Sequence, residues 1–242
     1  MPVSSYFRSI FIIMKKGKGS YDASHTFLYE RCIKDWWPAL DAGRQILHYK
    51  KGEIIFKEGD PVPGVYFMLD GVVKVHKRWT EDKELIVRFA RQQDIIGHRG
   101  LSTNSNVYPV SATVLADCTL CFIDMALFRS TFAVNDRFAY DFMMFMADEL
   151  ILSEQRMRDL AHMQVKARIA KALLAVEKKF GVNDRGYIAF TLSRQDLASY
   201  IGTAYETLYK LLAEFSEAGI IRTDGKDIAI IQPVKLEAIV GE

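Results

Sequence analysis

The chain has 242 residues, half of them hydrophobic, 12% aromatic and 26% charged, with a formal net charge of +2. This composition excludes a disordered or fibrous protein, and the length allows two ordinary domains, each with its own core. The charge divides as +4 over residues 1–21, −3 over 22–163 and +1 over 164–242, so bulk attraction does not announce a nucleic-acid partner. Any affinity for DNA must come from a few placed cations and from dimerisation.

Residues 1–24 read as a flexible tail, in which the stretch KKGKGS follows a short apolar segment at 10–14. That segment is far short of a membrane span and lacks the flanks of a signal peptide, so a cytoplasmic protein without a membrane partner is expected, with Met14 as an alternative start. Cys32, Cys118 and Cys121 form no even disulfide framework, which agrees with a reducing compartment.

From about 47 to 124 the apolar period is two. GEIIF, GVYFML, GVVKVHK, ELIVRFA, PVSATVLA and CTLCFID are short runs of β-branched and aromatic residues, punctuated by Gly52, Gly59, Gly64 and Gly71. Such runs predict an antiparallel barrel or sandwich over 25–134. From Asp136 to about Met163 the period changes, with Phe138, Phe142, Met146, Leu150, Met157 and Leu160 on one helical stripe and no Gly or Pro. A helix of about 25 residues is near 38 Å long, more than a small barrel covers. Part of the stripe is therefore expected to meet a second copy in a parallel seam over 135–163; the alternative is a helix buried within its own chain.

VKARIAKALLAVEKKFG (165–181) predicts another helix, stopped by Gly181. YIAFTL then reads as a strand, SRQDLASYIG as a helix capped by Ser193, and TAYETLYKLLAEFSEAG as a second helix after a turn at Gly202. IIRTDGKDIAII closes the chain as a hairpin around Asp224 and Gly225. Strand, helix, tight turn, helix and hairpin are the order of a winged helix-turn-helix over 164–242, which makes the fold class α+β. Leu197, Ala198, Ile201, Leu208, Leu211, Leu212 and Phe215 fall at core spacing. Thr203, Tyr205, Glu206, Tyr209 and Lys210 are left at the start of the second helix, where base edges would be met, and Arg194 sits where a phosphate clamp belongs. Glu can accept from the cytosine amine, and Lys can donate to guanine or phosphate.

YKKGEIIFKEGDPVPGVYFMLDGVVKV (49–75), followed by the long helix and SRQDLASYIGTAYETLYKLL, closely resembles the cyclic-AMP receptor protein/FNR (Crp/Fnr) family of bacterial transcription regulators over roughly 27–235. The resemblance implies a β-roll of the cyclic-nucleotide-binding type, a homodimer joined by its central helices, double-stranded DNA with a palindromic operator as partner, and RNA polymerase as a further partner where the protein activates. It implies an effector pocket near 95–117, for which Gly97, His98, Arg99, Tyr108, Ser111 and Thr113 are the candidates.

The residues depart from the family's nucleotide cassette. Gly97 is followed by His98 rather than Glu, and Tyr108 or Val110 stands where the family's phosphate-binding Arg would be. A buried phosphate without its cation is costly, so cyclic AMP is not the expected effector, although Arg99 beside the turn offers an alternative anion contact. The effector is left unidentified and no cofactor is assigned. Cys32 alone cannot supply an iron–sulfur cluster, Cys118 and Cys121 point to opposite faces of one strand, and His98 by itself marks no haem. The five histidines lack metal-ligand spacing, so no catalytic or metal site is expected and a cupin-like enzyme is disfavoured. In the second helix Tyr205 takes the place of the family's Arg, whereas Glu206 and Lys210 match, so the operator should differ in sequence. The competing reading is a small-ligand-binding module whose C-terminal helices dock a protein.

Overall fold

The computed structural model describes residues 22–80 and 83–241, so the expected tail lies almost wholly outside the described residues. The period-two segments form β1 (Gln45–Tyr49), β2 (Ile54–Phe56), β3 (Gly64–Thr80), β4 (Lys83–Ala90), β5 (Ile95–Ile96) and β6 (Ser111–Asp124). Among the described residues they make one sheet in the order β1-β6-β3-β4, with β2 also on β6 and β5 on β3. The register of β3 against β6 slips between Met68 and Val73. Gly71 sits in that slip with φ +87°, and a Cβ there would lie 2.4 Å from the Asp117 carbonyl oxygen, so only glycine lets the two backbones approach.

Alternation along the strands separates two cores. Tyr66, Met68, Val73, Val75, Val114, Cys118, Leu120 and Phe122 turn into the roll. Val65, Phe67, Leu69, Ile95, Cys121 and Ile123 turn the other way, onto α1 (Phe27–Arg31), α2 (Trp37–Gly43), α3 (Met125–Val134) and the start of α4 (Asp136–His162). Cys118 and Cys121 thus lie on opposite faces of β6, as their odd spacing predicts. Phe128, Phe132, Phe138 and Phe142 build an edge-to-face cluster where α3 meets α4. The Asn135 carboxamide between these helices accepts from the Ile33 amide at 2.9 Å.

α4 runs for 27 residues, and its stripe changes character along its length. Phe138 and Phe142 are buried, whereas Leu150 and Met157 are exposed. The chain divides into two compact units, one running to Lys77 and over Val87–Met146, the other holding Arg78–Ile86 and everything from Ala147 onward. The divide falls inside α4 and assigns the β3–β4 tip to the second unit, whereas the sequence pattern places its boundaries at the ends of that helix.

In the second unit α5 (Val165–Phe180) ends at Gly181, and α6 (Arg194–Ile201), α7 (Tyr205–Glu217), β7 (Ile221–Asp224) and β8 (Asp227–Ile230) follow. YIAFTL is not a strand. The Asn183 carboxamide accepts from the amides of Arg185 and Tyr187, curling this stretch into a turn and leaving one bridge, Val182 to Ile188. Nor does the hairpin close the chain: α8 (Pro233–Gly241) follows and packs on α5 through buried Leu236.

Candidate nucleic-acid interface and effector pocket

Ser193 caps α6: its hydroxyl oxygen accepts from the Asp196 amide at 2.9 Å and its hydroxyl donates to that residue's carboxylate at 2.5 Å. Gly202, with φ +73°, ends the helix in the left-handed region, and the amides of Gly202 and Thr203 both donate to the Ala198 carbonyl, at 2.9 and 3.1 Å. This closes the turn and starts α7 at Tyr205. Leu208, Leu212 and Phe215 are then driven inward by the 3.6 period. Tyr205, Glu206, Tyr209 and Lys210 are exposed, with Thr203 half-buried at the turn. The rings of Tyr205 and Tyr209, one helical turn apart, stack at 6.4 Å and 20°. Thr207, which the sequence pattern did not single out, is exposed beside Glu206 on this surface. Its polar side chain next to the core-facing Leu208 was the available signal.

Arg194 stands apart from the expected phosphate clamp. Its guanidinium donates to the Lys226 carbonyl at 2.9 Å and the Gly225 carbonyl at 3.1 Å, fastening α6 to the β7–β8 turn. Burial there draws its pKa down. At the other side of the same turn Arg185 pairs with Asp224 at 2.9 Å. The wing is therefore held by arginines, and the exposed cation at the start of α7 is Lys210.

The candidate pocket residues come together only in part. Gly97 is in the left-handed region, and a Cβ there would lie 3.2 Å from Tyr66 and 3.5 Å from Tyr108. Tyr108 is 1% exposed, stacks on Phe56 at 3.9 Å between ring centres and donates its hydroxyl hydrogen to the Gly64 carbonyl at 3.2 Å. His98 is buried against the Phe145 ring on α4, 4.9 Å between centres, while Arg99 is half-buried. Ser111 and Thr113 do not join this group. They alternate with inward Ala112 and Val114, so they lie on the other face of β6, where Ser111 accepts from the Glu58 amide at 2.9 Å and Thr113 bonds His76 at 2.9 Å.

Tyr108 fills the interior beside the Gly97 turn, and Arg99 beside that turn is half-buried. Among the described residues no cluster of His, Cys, Asp and Glu could hold a metal.

A β-roll followed by a long helix and a winged helix-turn-helix is the architecture of a DNA-binding transcription regulator. The cyclic nucleotide-binding domain model matches residues 46–135, and the Crp-like helix-turn-helix domain model matches 167–239. The chain is 26% identical over 200 residues to a CRP-like cAMP-activated global transcriptional regulator of Mycobacterium tuberculosis, covering 82% of this chain and 89% of that one. It is 28% identical over 196 residues to the transcriptional activator protein anr of Pseudomonas aeruginosa, covering 79% of each. Among solved structures FixK2 of Bradyrhizobium japonicum superposes with a TM-score of 0.72 at 22% identity, over 81% of this chain and 96% of that one. The chain belongs to the Crp/Fnr family of transcription regulators and carries that family's DNA-binding domain; its relatives are regulators, not enzymes.

Proposed function

We infer that this protein works as a cytoplasmic homodimer whose two α7 helices read the half-sites of a palindromic operator about one helical turn apart. Thr203, Tyr205, Glu206, Tyr209 and Lys210 meet the DNA, and Arg194 positions the wing. The observation that supports dimer reading most directly is on α4: Met143, Leu150 and Met157, seven residues apart, are 56%, 60% and 67% exposed. A seven-residue apolar repeat on a helix of this length matches the seam of a parallel coiled coil, in which a second copy supplies the cover. Glu206 supplies a base-reading acceptor, and the stacked tyrosines give the start of α7 an apolar wall suited to thymine methyl groups.

The roll regulates this reading without a cyclic nucleotide in its interior, a reading supported by the stack of Tyr108 on Phe56 within the core of the roll. Selection of genomic fragments by the purified protein at about 150 mM salt, where non-specific phosphate attraction is reduced, tests the proposal. A palindromic motif is the expected product. Recovery of unrelated fragments, or a single half-site bound by a monomer, would overturn it.

A further inference from the structure

The turn between α6 and α7 is held from outside the helix-turn-helix. An added Cβ on Gly202 would lie 2.6 Å from Leu160 of α4 and 3.7 Å from Leu85 of β4, so the turn is pressed against both. The last carbonyls of α6 lack partners within their own helix. Two arginines serve the end of α6: Arg168 of α5 donates to the Gly202 carbonyl at 3.1 Å, while its other terminal nitrogen donates to the Met163 carbonyl just ahead of α5 at 2.8 Å. Arg156 of α4 donates to the Tyr200 carbonyl, with its guanidinium carbon 4.6 Å from the centre of the Tyr200 ring. The same terminal nitrogen of Arg156 also donates to the Ile86 carbonyl of β4, at 2.6 Å.

The geometry points to Arg156 as a positioning residue for DNA reading, one that ties the β3–β4 hairpin to the helix-turn-helix through a single shared nitrogen. Ile86 and Tyr200 are far apart in sequence, yet one donor holds both carbonyls, so displacing the hairpin strand must either pull on the end of α6 or break a charge-assisted bond. The angle at which α7 leaves the turn depends on where α6 ends, and Gly202 leaves that end no side chain of its own to define it. The hairpin strands are continuous with β3 and β4 of the roll, so a change in those strands has a covalent path to this contact. Leu85 adds an apolar contact beside the polar one. This inference rests on the DNA-reading function above and adds the element that sets the reading head.

The test uses the full-length protein and the operator recovered by fragment selection, with hydrogen exchange followed in the β4 segment and in α7. In the wild type, operator slows exchange in both. In Arg156→Gln, α7 remains protected by DNA, the β4 response is lost, and operator affinity falls roughly two- to thirtyfold, the range expected of a coupling between neighbouring elements. Arg156→Lys, which keeps a charged donor, restores the β4 response, because one nitrogen serves both carbonyls and a single ammonium can replace it; it also reports the contact if the glutamine variant does not fold. A β4 response in Arg156→Gln equal to wild type would overturn the assignment, as would a wild type that binds selectively without any β4 response, or a lysine variant no better than glutamine. Loss of selective binding by the wild type itself would instead remove the proposed function, and this inference with it.

Discussion

The ring of Tyr108 lies 3.9 Å from that of Phe56, stacked at 19° inside the β-roll. The interior of the roll is thereby closed by its own aromatic side chains. Tyr108→Ala should lower stability by about 3–5 kcal/mol in denaturant unfolding, the range for removing a buried aromatic ring. Cyclic AMP should leave the wild-type unfolding midpoint unmoved, since a ligand shifts stability only in proportion to its binding of the native state. A cyclic-AMP-dependent rise in that midpoint would show that the stack opens.

Arg194 carries a different expectation from the phosphate clamp that its sequence position predicts. Its two bonds go to the wing turn, so Arg194→Ala should speed amide exchange around Gly225 and Lys226. Affinity should fall for every DNA sequence alike, because the substitution misplaces the whole wing and leaves in place the α7 residues proposed to read bases. The salt slope should change by much less than the value of about one expected on removing a phosphate-binding cation. A slope lower by a full unit would return Arg194 to the role of clamp.

Glu206 is exposed on the first turn of α7 with the Tyr205 and Tyr209 rings alongside. Glu206→Ala should relax selectivity at one base position by about 1–3 kcal/mol while leaving the others intact, as read by repeating the fragment selection. Equal weakening at all positions would place Glu206 outside base reading.

The apolar repeat on α4 gives the proposed dimer a direct test. Met143→Asp combined with Leu150→Asp places charges in the seam, and sedimentation should then report a monomer. Operator affinity should drop by roughly 10²–10⁴-fold, the avidity that disappears when two linked half-sites are bound one at a time. A dimer that survives both charges would move the interface elsewhere.

What could be read in the sequence was local. Ser193 and Gly202 announce a cap and a left-handed stop by their chemistry alone, and period-two runs announce strands, so the order of elements was legible. YIAFTL failed because the Asn183 carboxamide competes with strand pairing for nearby amides, and β-branched composition does not reveal that competition. The Phe56–Tyr108 stack and the bonds from Arg156 to Ile86 and Tyr200 join residues far apart in the chain, so no spacing rule encodes them. Arg194 shows the same limit: its place on α6 was legible, but its direction depended on a hairpin about thirty residues away.

The three thiols give a pH-dependent prediction. Burial pushes Cys32, Cys118 and Cys121 each up to about 12, from an ordinary value of 9.0. The thiolate is the reactive form, so native protein at about pH 8 should resist alkylation at all three sites, with mass spectrometry showing modification only after unfolding. The sign for stability follows from the same shift. A thiol that ionises more readily in the unfolded chain contributes stability that is fully present below 9.0 and is lost progressively as pH rises towards 12. Unfolding free energy measured across that window should fall more steeply for wild type than for Cys118→Ser, whose hydroxyl does not titrate there. Equal slopes would mean that Cys118 is reached by solvent, and rapid native alkylation at that site would say the same.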